Sequence, residues 1–190
     1  MVKILEFSLL RKRLKITPTQ MIVVGFATII LAGGLLLNLP IASRDGQSVG
    51  FVNAIFTATS AVCVTGLVVV DTGTYWTVFG QVIIALLIQI GGLGFMTMST
   101  LIALILGRKI TLRERLLIQE SLNQFDLEGL VRLTKNIIIA TFTIESIGAV
   151  MFSIIFIPDY GLKKGIAFGV FHAVTAFCNA GFDLIGGFRS

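Results

Sequence analysis

Long stretches without charge alternate with short polar breaks along this chain, and the alternation sets out its elements. Gln20 to Leu39 carries no charged side chain. A helix of about 20 residues covers about 30 Å, the thickness of the hydrocarbon layer of a membrane. Pro40 ends this predicted span over 20–39, and Ser43-Arg44-Asp45-Gly46 reads as an aqueous turn. A second uncharged stretch, Gln47 to Val70, is broken at Cys63-Val64-Thr65-Gly66, where β-branched residues flank a glycine. It reads as a helix over 50–61 that reaches only mid-membrane, since about 12 helical residues cover about 18 Å. Extended backbone over 62–67 then returns to the surface it came from. A third uncharged run predicts a span over 77–106. It holds Gly91, Gly92 and Gly94 near its middle, where glycines serve either close packing or a gating kink. Residues 107–135 predict a helical linker opened by the cap signature Thr111-Leu112-Arg113-Glu114. A span over 136–157 ends before Pro158, a second half-span follows over 165–176, and a second turn over 177–182.

The two half-spans are copies. Phe56-Thr57-Ala58-Thr59-Ser60-Ala61-Val62-Cys63-Val64-Thr65-Gly66-Leu67 returns as Phe171-His172-Ala173-Val174-Thr175-Ala176-Phe177-Cys178-Asn179-Ala180-Gly181-Phe182, with Phe, Ala, a hydroxyl, Ala, Cys and Gly in register. A repeat at fixed offset defines the architecture before any single residue does. The expected fold is an all-α membrane protein made of repeated units, each an outer helix, a re-entrant pore loop and an inner helix. The first unit occupies 20–106 and the second 136–190. By the logic of the first, the second lacks its inner helix, so the set of units is expected to be incomplete within these residues and to continue beyond Ser190.

Composition agrees with the membrane reading. The 190 residues are 55% hydrophobic and 13% charged, with a mean hydropathy of +0.96. Soluble domains carry about 25% charged residues. The net charge of +5 is therefore no nucleic-acid footprint. Its basic residues cluster at Lys3, Arg11, Lys12, Arg13 and Lys15, and again at Arg108, Lys109, Arg113, Arg115, Arg132 and Lys135. Lysine and arginine mark the inner side of a membrane, so the N-terminus and residues 107–135 are expected in the cytoplasm, and Arg44 to Asp71 and Lys163 outside. The basic segment 1–19 is expected to rest on anionic membrane lipids. It does not read as a cleaved secretory signal, because the apolar run after it is long enough to span. Cys63 and Cys178 hold equivalent places in the repeat and read as two free, buried thiols.

The chemistry follows from the turns. Within the hydrocarbon layer, backbone that is not helical must be buried in protein or line a watery cavity. Extended backbone facing such a cavity presents carbonyl oxygens, which replace the water shell of a cation. Gly66 and Gly181 supply the conformational freedom that such a strand requires. The candidate ion-filter residues are Val64, Thr65 and Gly66 with Asn179, Ala180 and Gly181, and the ion ligands are the carbonyls of these six together with those of Cys63 and Cys178. No carboxylate lies within 62–67 or 177–182, which suits a dehydrated monovalent ion better than a divalent one. Asp183 is a candidate charge at the pore mouth. Glu145 stands inside a span, either as a partner for a neighbouring helix or as an ion relay. His172 reads as structural, with a pH sensor as the rival. A carrier with broken helices, a redox protein and a non-conducting scaffold are the alternatives. The first would hold more polar ligands in its gap, and the second would need a C-x-x-C or quinone site. No nucleophile, metal cluster or phosphate loop marks an enzyme.

The order of outer helix, pore helix, glycine turn and glycine-rich inner helix resembles the M1-P-M2 unit of K+ channels. The stretches Thr57 to Leu67, Gln89-Ile90-Gly91-Gly92-Leu93-Gly94 and Ala173 to Phe182 are more closely similar to the Trk/Ktr/HKT superfamily of K+ transporters, nearest the bacterial Ktr-type membrane subunit. That resemblance implies four such units in a complete protein, Gly66 and Gly181 as two of four filter glycines, and a preference for K+ at Gly66, since serine there accompanies Na+ permeation in plant relatives. It implies K+ uptake as the function, without a covalent cofactor and with Na+ as a possible coupling or stimulating ion in symport. It also implies a multi-pass protein of the plasma membrane, a homodimer of the full-length subunit, and a cytosolic nucleotide-binding regulatory ring as partner.

Overall fold

A computed structural model describes residues 18–94, 97 and 130–187, and among them every regular element is helical. Helix α1 is Pro18–Leu37, followed by a 3-10 turn at Pro40–Ala42; α2 is Phe51–Val62 and α3 the short Thr72–Tyr75. Then come α4 at Val78–Leu93, α5 at Leu130–Tyr160 and α6 at Leu162–Phe177. Within α1 and α5, Gln20–Leu37 and Val131–Tyr160 are long and apolar enough to cross a membrane. The fold is that of an all-α membrane protein.

Three helices depart from the sequence expectation by three residues or more. Helix α5 neither begins at 136 nor ends before Pro158; it runs from Leu130 through Pro158 to Tyr160. Proline removes one donor here in the last turn instead of mid-helix, and the helix is closed by Gly161 N donating to Ile157 O at 2.9 Å. Helix α6 begins at Leu162, ahead of the expected 165. Helix α4 stops at Leu93, where Gly94 takes φ +80° and donates to Gly91 O at 3.1 Å. Of the rest of the expected span 77–106, only Thr97 is among the described residues. The basic segment up to residue 17 and the linker from 107 to 129, with its cap signature at Thr111, lie outside them.

Helix α5 packs on α6 and α1 on α2, while α4 lies against α1, α2 and α6. Lipid tails are as apolar as leucine, so helices in a membrane associate through close packing, and small residues make that packing possible. Side-chain-free positions occur at each contact: Gly33 faces Leu87, Gly34 faces Ile55, Gly148 faces Ala173, and Gly165 faces Ile157. The lipid side is the reverse. Val23, Val24, Leu31 and Leu35 on α1, and Val150, Met151, Ile154 and Ile155 on α5, are each more than half exposed. Hydroxyls on these helices are satisfied locally. Thr28, Thr143 and Ser146 donate to the carbonyl four residues back at 2.7, 2.7 and 2.6 Å, which removes the cost of an unpaired group in hydrocarbon.

A polar knob joins the repeats beyond their turns. Arg44 donates to Trp76 O at 3.1 Å and to Gly73 O at 2.8 Å. Asp71 caps α3 by accepting from Thr74 N at 2.8 Å. Gly73 in turn abuts the backbone at Leu184, just past the second turn.

Candidate functional site

Both half-helices end in the same backbone device. At the end of α2, Cys63 stays helical (φ −83°, ψ 0°), Val64 flips to φ +57°, and Gly66 follows at φ +73°. At the end of α6, Cys178 stays helical (φ −76°, ψ −7°), Asn179 flips to φ +56°, and Gly181 follows at φ +72°. The closing bonds match as well. Val64 N donates to Ala61 O at 3.3 Å and Thr65 N to Ser60 O at 3.0 Å; Asn179 N donates to Ala176 O at 3.1 Å and Ala180 N to Thr175 O at 2.7 Å. This pair of bonds around a left-handed residue is the Schellman closure, which is usually built on glycine. Here a valine and an asparagine occupy that position.

The closure uses the N–H groups and leaves the oxygens. The carbonyls of Cys63, Val64, Thr65, Gly66, Cys178, Asn179, Ala180 and Gly181 accept no hydrogen bond from the described residues. Half of these residues (Cys63, Thr65, Asn179 and Gly181) are exposed, and eight such oxygens in two short segments form a concentrated, accessible set of acceptors. The segments also meet. A Cβ on Gly66 would lie 2.7 Å from Ala180 O and 3.2 Å from Gly181 Cα, and one on Gly181 would lie 3.3 Å from Gly66 Cα. Backbone against backbone at this distance, with both φ positive, calls for glycine on each side.

Helix α4 is wedged behind both turns. A side chain on Gly91 would strike the Val62 carbonyl, and one on Gly92 would strike the Cys178 sulfur. These two glycines are packing positions in this arrangement. Gly94 is different: among the described residues nothing lies within 4 Å of its missing side chain, and its positive φ ends the helix.

The remaining candidates fall around this centre. Asp183 turns its carboxylate back on its own loop, accepting from Ile185 N at 2.9 Å. His172 lies among Phe152, Phe156, Phe168 and Phe171, with Phe156 at a ring-centroid distance of 4.9 Å. Its Nδ1 is 2.8 Å from Phe168 O, and its Nε2 accepts from Leu184 N at 3.4 Å, so its ring nitrogens serve local structure. Both cysteines are free, but the expectation of burial fails: Cys63 is exposed and Cys178 half-buried, because each sits at the open end of its helix. Glu145 is buried and accepts from Gln89 Nε2 at 2.9 and 3.1 Å. Sequence reasoning singled out Glu145 but missed its partner. The available signal was the one carboxylate of the 136–157 span and the two glutamines, Gln81 and Gln89, of the uncharged run before it, polar groups that need satisfaction in hydrocarbon. Among the described residues, no group of three His, Cys, Asp or Glu gathers to hold a metal ion.

A family model described as TrkH, cation transport protein, matches residues 9–187. The chain belongs to the TrkH family. TrkH-family relatives agree over nearly its whole length. It is 48% identical to the potassium/sodium uptake protein NtpJ of Enterococcus hirae, over 93% of this chain and 39% of that protein. It is 50% identical to the Ktr system potassium uptake protein B of Bacillus subtilis, over 91% of this chain and 38% of that one. The Ktr system potassium uptake protein B of Vibrio alginolyticus is 40% identical over 92% of this chain and 38% of its own length. The chain therefore spans about two fifths of the curated relatives it matches. Membership makes this a membrane protein of a cation transporter family.

Proposed function

We propose that this chain contributes to a K+ uptake pore of Trk/Ktr type, in which the paired turns present their backbone carbonyls to a dehydrated ion. The observation that carries the reading is the duplicated turn: the same backbone conformation at 63–66 and 178–181, meeting glycine to glycine, with eight carbonyls free of described hydrogen bonds. Carbonyl oxygens replace the water of a monovalent cation without a titratable ligand. The C-terminal ends of α2 and α6 lie at the same place and add partial negative charge from their helix dipoles. The names of the relatives supply the ion, potassium, and in one case sodium as well.

On this reading the pore-forming unit lies in the plasma membrane with the N-terminus and residues 107–135 in the cytoplasm, and Arg44 to Asp71 outside. A complete pore surrounds the ion on about four sides. The full-length subunit then works as a homodimer on a cytosolic nucleotide-binding ring, with Na+ as a coupling or stimulating ion, and transports without catalysing a covalent step.

Serine at Gly66 or Gly181 tests the reading. Either change puts a side chain into the backbone contact and turns a carbonyl away. In the assembled transporter, expressed in bacteria lacking their own K+ uptake, each Gly→Ser variant should lower the preference for K+ over Na+ about tenfold, the equivalent of about 1.4 kcal/mol. Unchanged K+ affinity and selectivity in both variants would remove the two turns from the ion path.

A further inference from the structure

A buried side-chain contact between Gln89 and Glu145 joins the two repeats, and it lies next to the turns. Gln89 on α4 and Glu145 on α5 are each 7% exposed. Gln89 Nε2 donates to both carboxylate oxygens, at 2.9 and 3.1 Å. The surroundings offer little else. The groove of about 400 Å³ beside the pair is lined mainly by Val82, Ala85, Leu86, Phe142, Ala149 and Val170. Its one hydroxyl, that of Ser146, already donates to Phe142 O at 2.6 Å. Gln89 Oε1 is buried without a partner among the described residues, so the carboxylate alone fixes the amide.

Gln89 is less than one helical turn from Gly91 and Gly92, and those two glycines leave no slack. One abuts the carbonyl of Val62, at the entry to the first turn, and the other abuts Cys178, at the entry to the second. Any slide or rotation of α4 therefore presses on both turns together. Close-packed interiors transmit such a shift instead of absorbing it.

We propose that Glu145 and Gln89 form an inter-repeat clamp that fixes the height and rotation of α4 between the two turns, which makes Glu145 a positioning residue for ion selectivity. This inference rests on reading the turns as the ion filter. Removing the carboxylate leaves the Gln89 amide buried with neither end paired, a costly state in an apolar site. The helix then relieves it by turning the amide toward another partner, and Gly91 and Gly92 carry the movement to Val62 and Cys178. The pair does not depend on which helix supplies the acid. Gln89→Glu combined with Glu145→Gln restores one carboxylate and one amide across the same contact.

The test measures K+ and Na+ uptake in the assembled transporter, expressed in bacteria without their own K+ uptake and normalised to the amount of protein in the membrane. Glu145→Ala is expected to lower the K+/Na+ preference about tenfold, the effect of one charge-assisted hydrogen bond. Glu145→Gln and the exchanged pair are expected to stay within about threefold of the parent. Glu145→Ala at parental abundance with parental selectivity would overturn the clamp, as would an exchanged pair that behaves like Glu145→Ala. Where Glu145→Ala does not reach the membrane, Gln89→Leu and the exchanged pair decide by the same ratio: loss in the first with recovery in the second upholds the clamp, and any other pattern overturns it. Gly66→Ser, measured alongside, separates the two ideas. A response there with none at Glu145→Ala removes the clamp and leaves the filter; no response there or in Gly181→Ser removes the filter reading and the clamp with it.

Discussion

The turn after α2 and the turn after α6 have one backbone and two sets of side chains. Both residues at the left-handed position lack glycine's freedom, yet the first is Val64 and the second Asn179. A left-handed β-branched residue is an outlier that must be held by its surroundings, whereas asparagine visits that region readily. The surroundings differ accordingly. Val64 packs against the buried core formed by α2, α4 and their neighbours, and Thr65 beside it donates its hydroxyl to Ser60 Oγ at 3.0 Å. Asn179 is exposed, and its neighbour Ala180 has no hydroxyl to give. The first turn is strained and braced, the second relaxed and unbraced. Matching dihedral angles in spite of this indicate that the conformation itself is required.

The largest effect should come from filling the glycine contact, and it should be unequal. Alanine at either position adopts a positive φ at a cost of about 1–2 kcal/mol. At Gly66 the new Cβ also meets Ala180 O at 2.7 Å, while at Gly181 it meets only Gly66 Cα at 3.3 Å. Overpacking against backbone adds about 1–3 kcal/mol. Gly66→Ala is thus expected to lower the melting temperature in detergent clearly more than Gly181→Ala. Equal losses would mean that the two turns are not held against one another as described.

Exchanging the left-handed residues gives a smaller and directional effect. Asn179→Val places a β-branched residue at φ +56° without a core to hold it, and is expected to cost about 1 kcal/mol. Val64→Asn relieves strain but gives up apolar packing, so the two terms offset and the change stays within about 0.5 kcal/mol. Melting of the two variants side by side decides this; a larger loss at Val64 than at Asn179 would show that packing, not backbone strain, governs the first turn.

The half-helices and their turns were legible in the sequence because the repeat writes them twice. A duplicated Cys-x-x-Gly after a short apolar helix has few structural meanings, and each copy corroborates the other. Two other features were not legible. Pro158 reads as a stop, and α5 runs through it because a missing donor near a helix end costs one bond and leaves the ladder before it intact. The partner of Glu145 was hidden because it lies on a different repeat, and apolar periodicity carries no information about which of several spans is a neighbour. The roles of Gly91, Gly92 and Gly94 separate for the same reason: packing against Val62 and Cys178 is a tertiary fact, whereas the positive φ of Gly94 is local.

The smallest effect concerns the brace itself. Thr65→Val removes the hydroxyl that reaches Ser60 while keeping the β-branched shape, and leaves Ser60, 4% exposed, without that contact. A neutral hydrogen bond of this kind is worth about 0.5–1.5 kcal/mol. The partner change Ser60→Ala removes the other half. If the bond is what holds the strained turn, the double variant loses no more than either single one, and the coupling energy from the four melting curves is about 0.5–1 kcal/mol. The second turn serves as the control, since Ala180 has no hydroxyl and Thr175, at the place of Ser60, donates instead to His172 O at 3.2 Å. Thr175→Val should therefore act on α6 alone. Strict additivity of Thr65→Val and Ser60→Ala would show that the hydroxyl pair is incidental, and that packing around Val64 is enough to keep the first turn in the conformation that the second adopts without help.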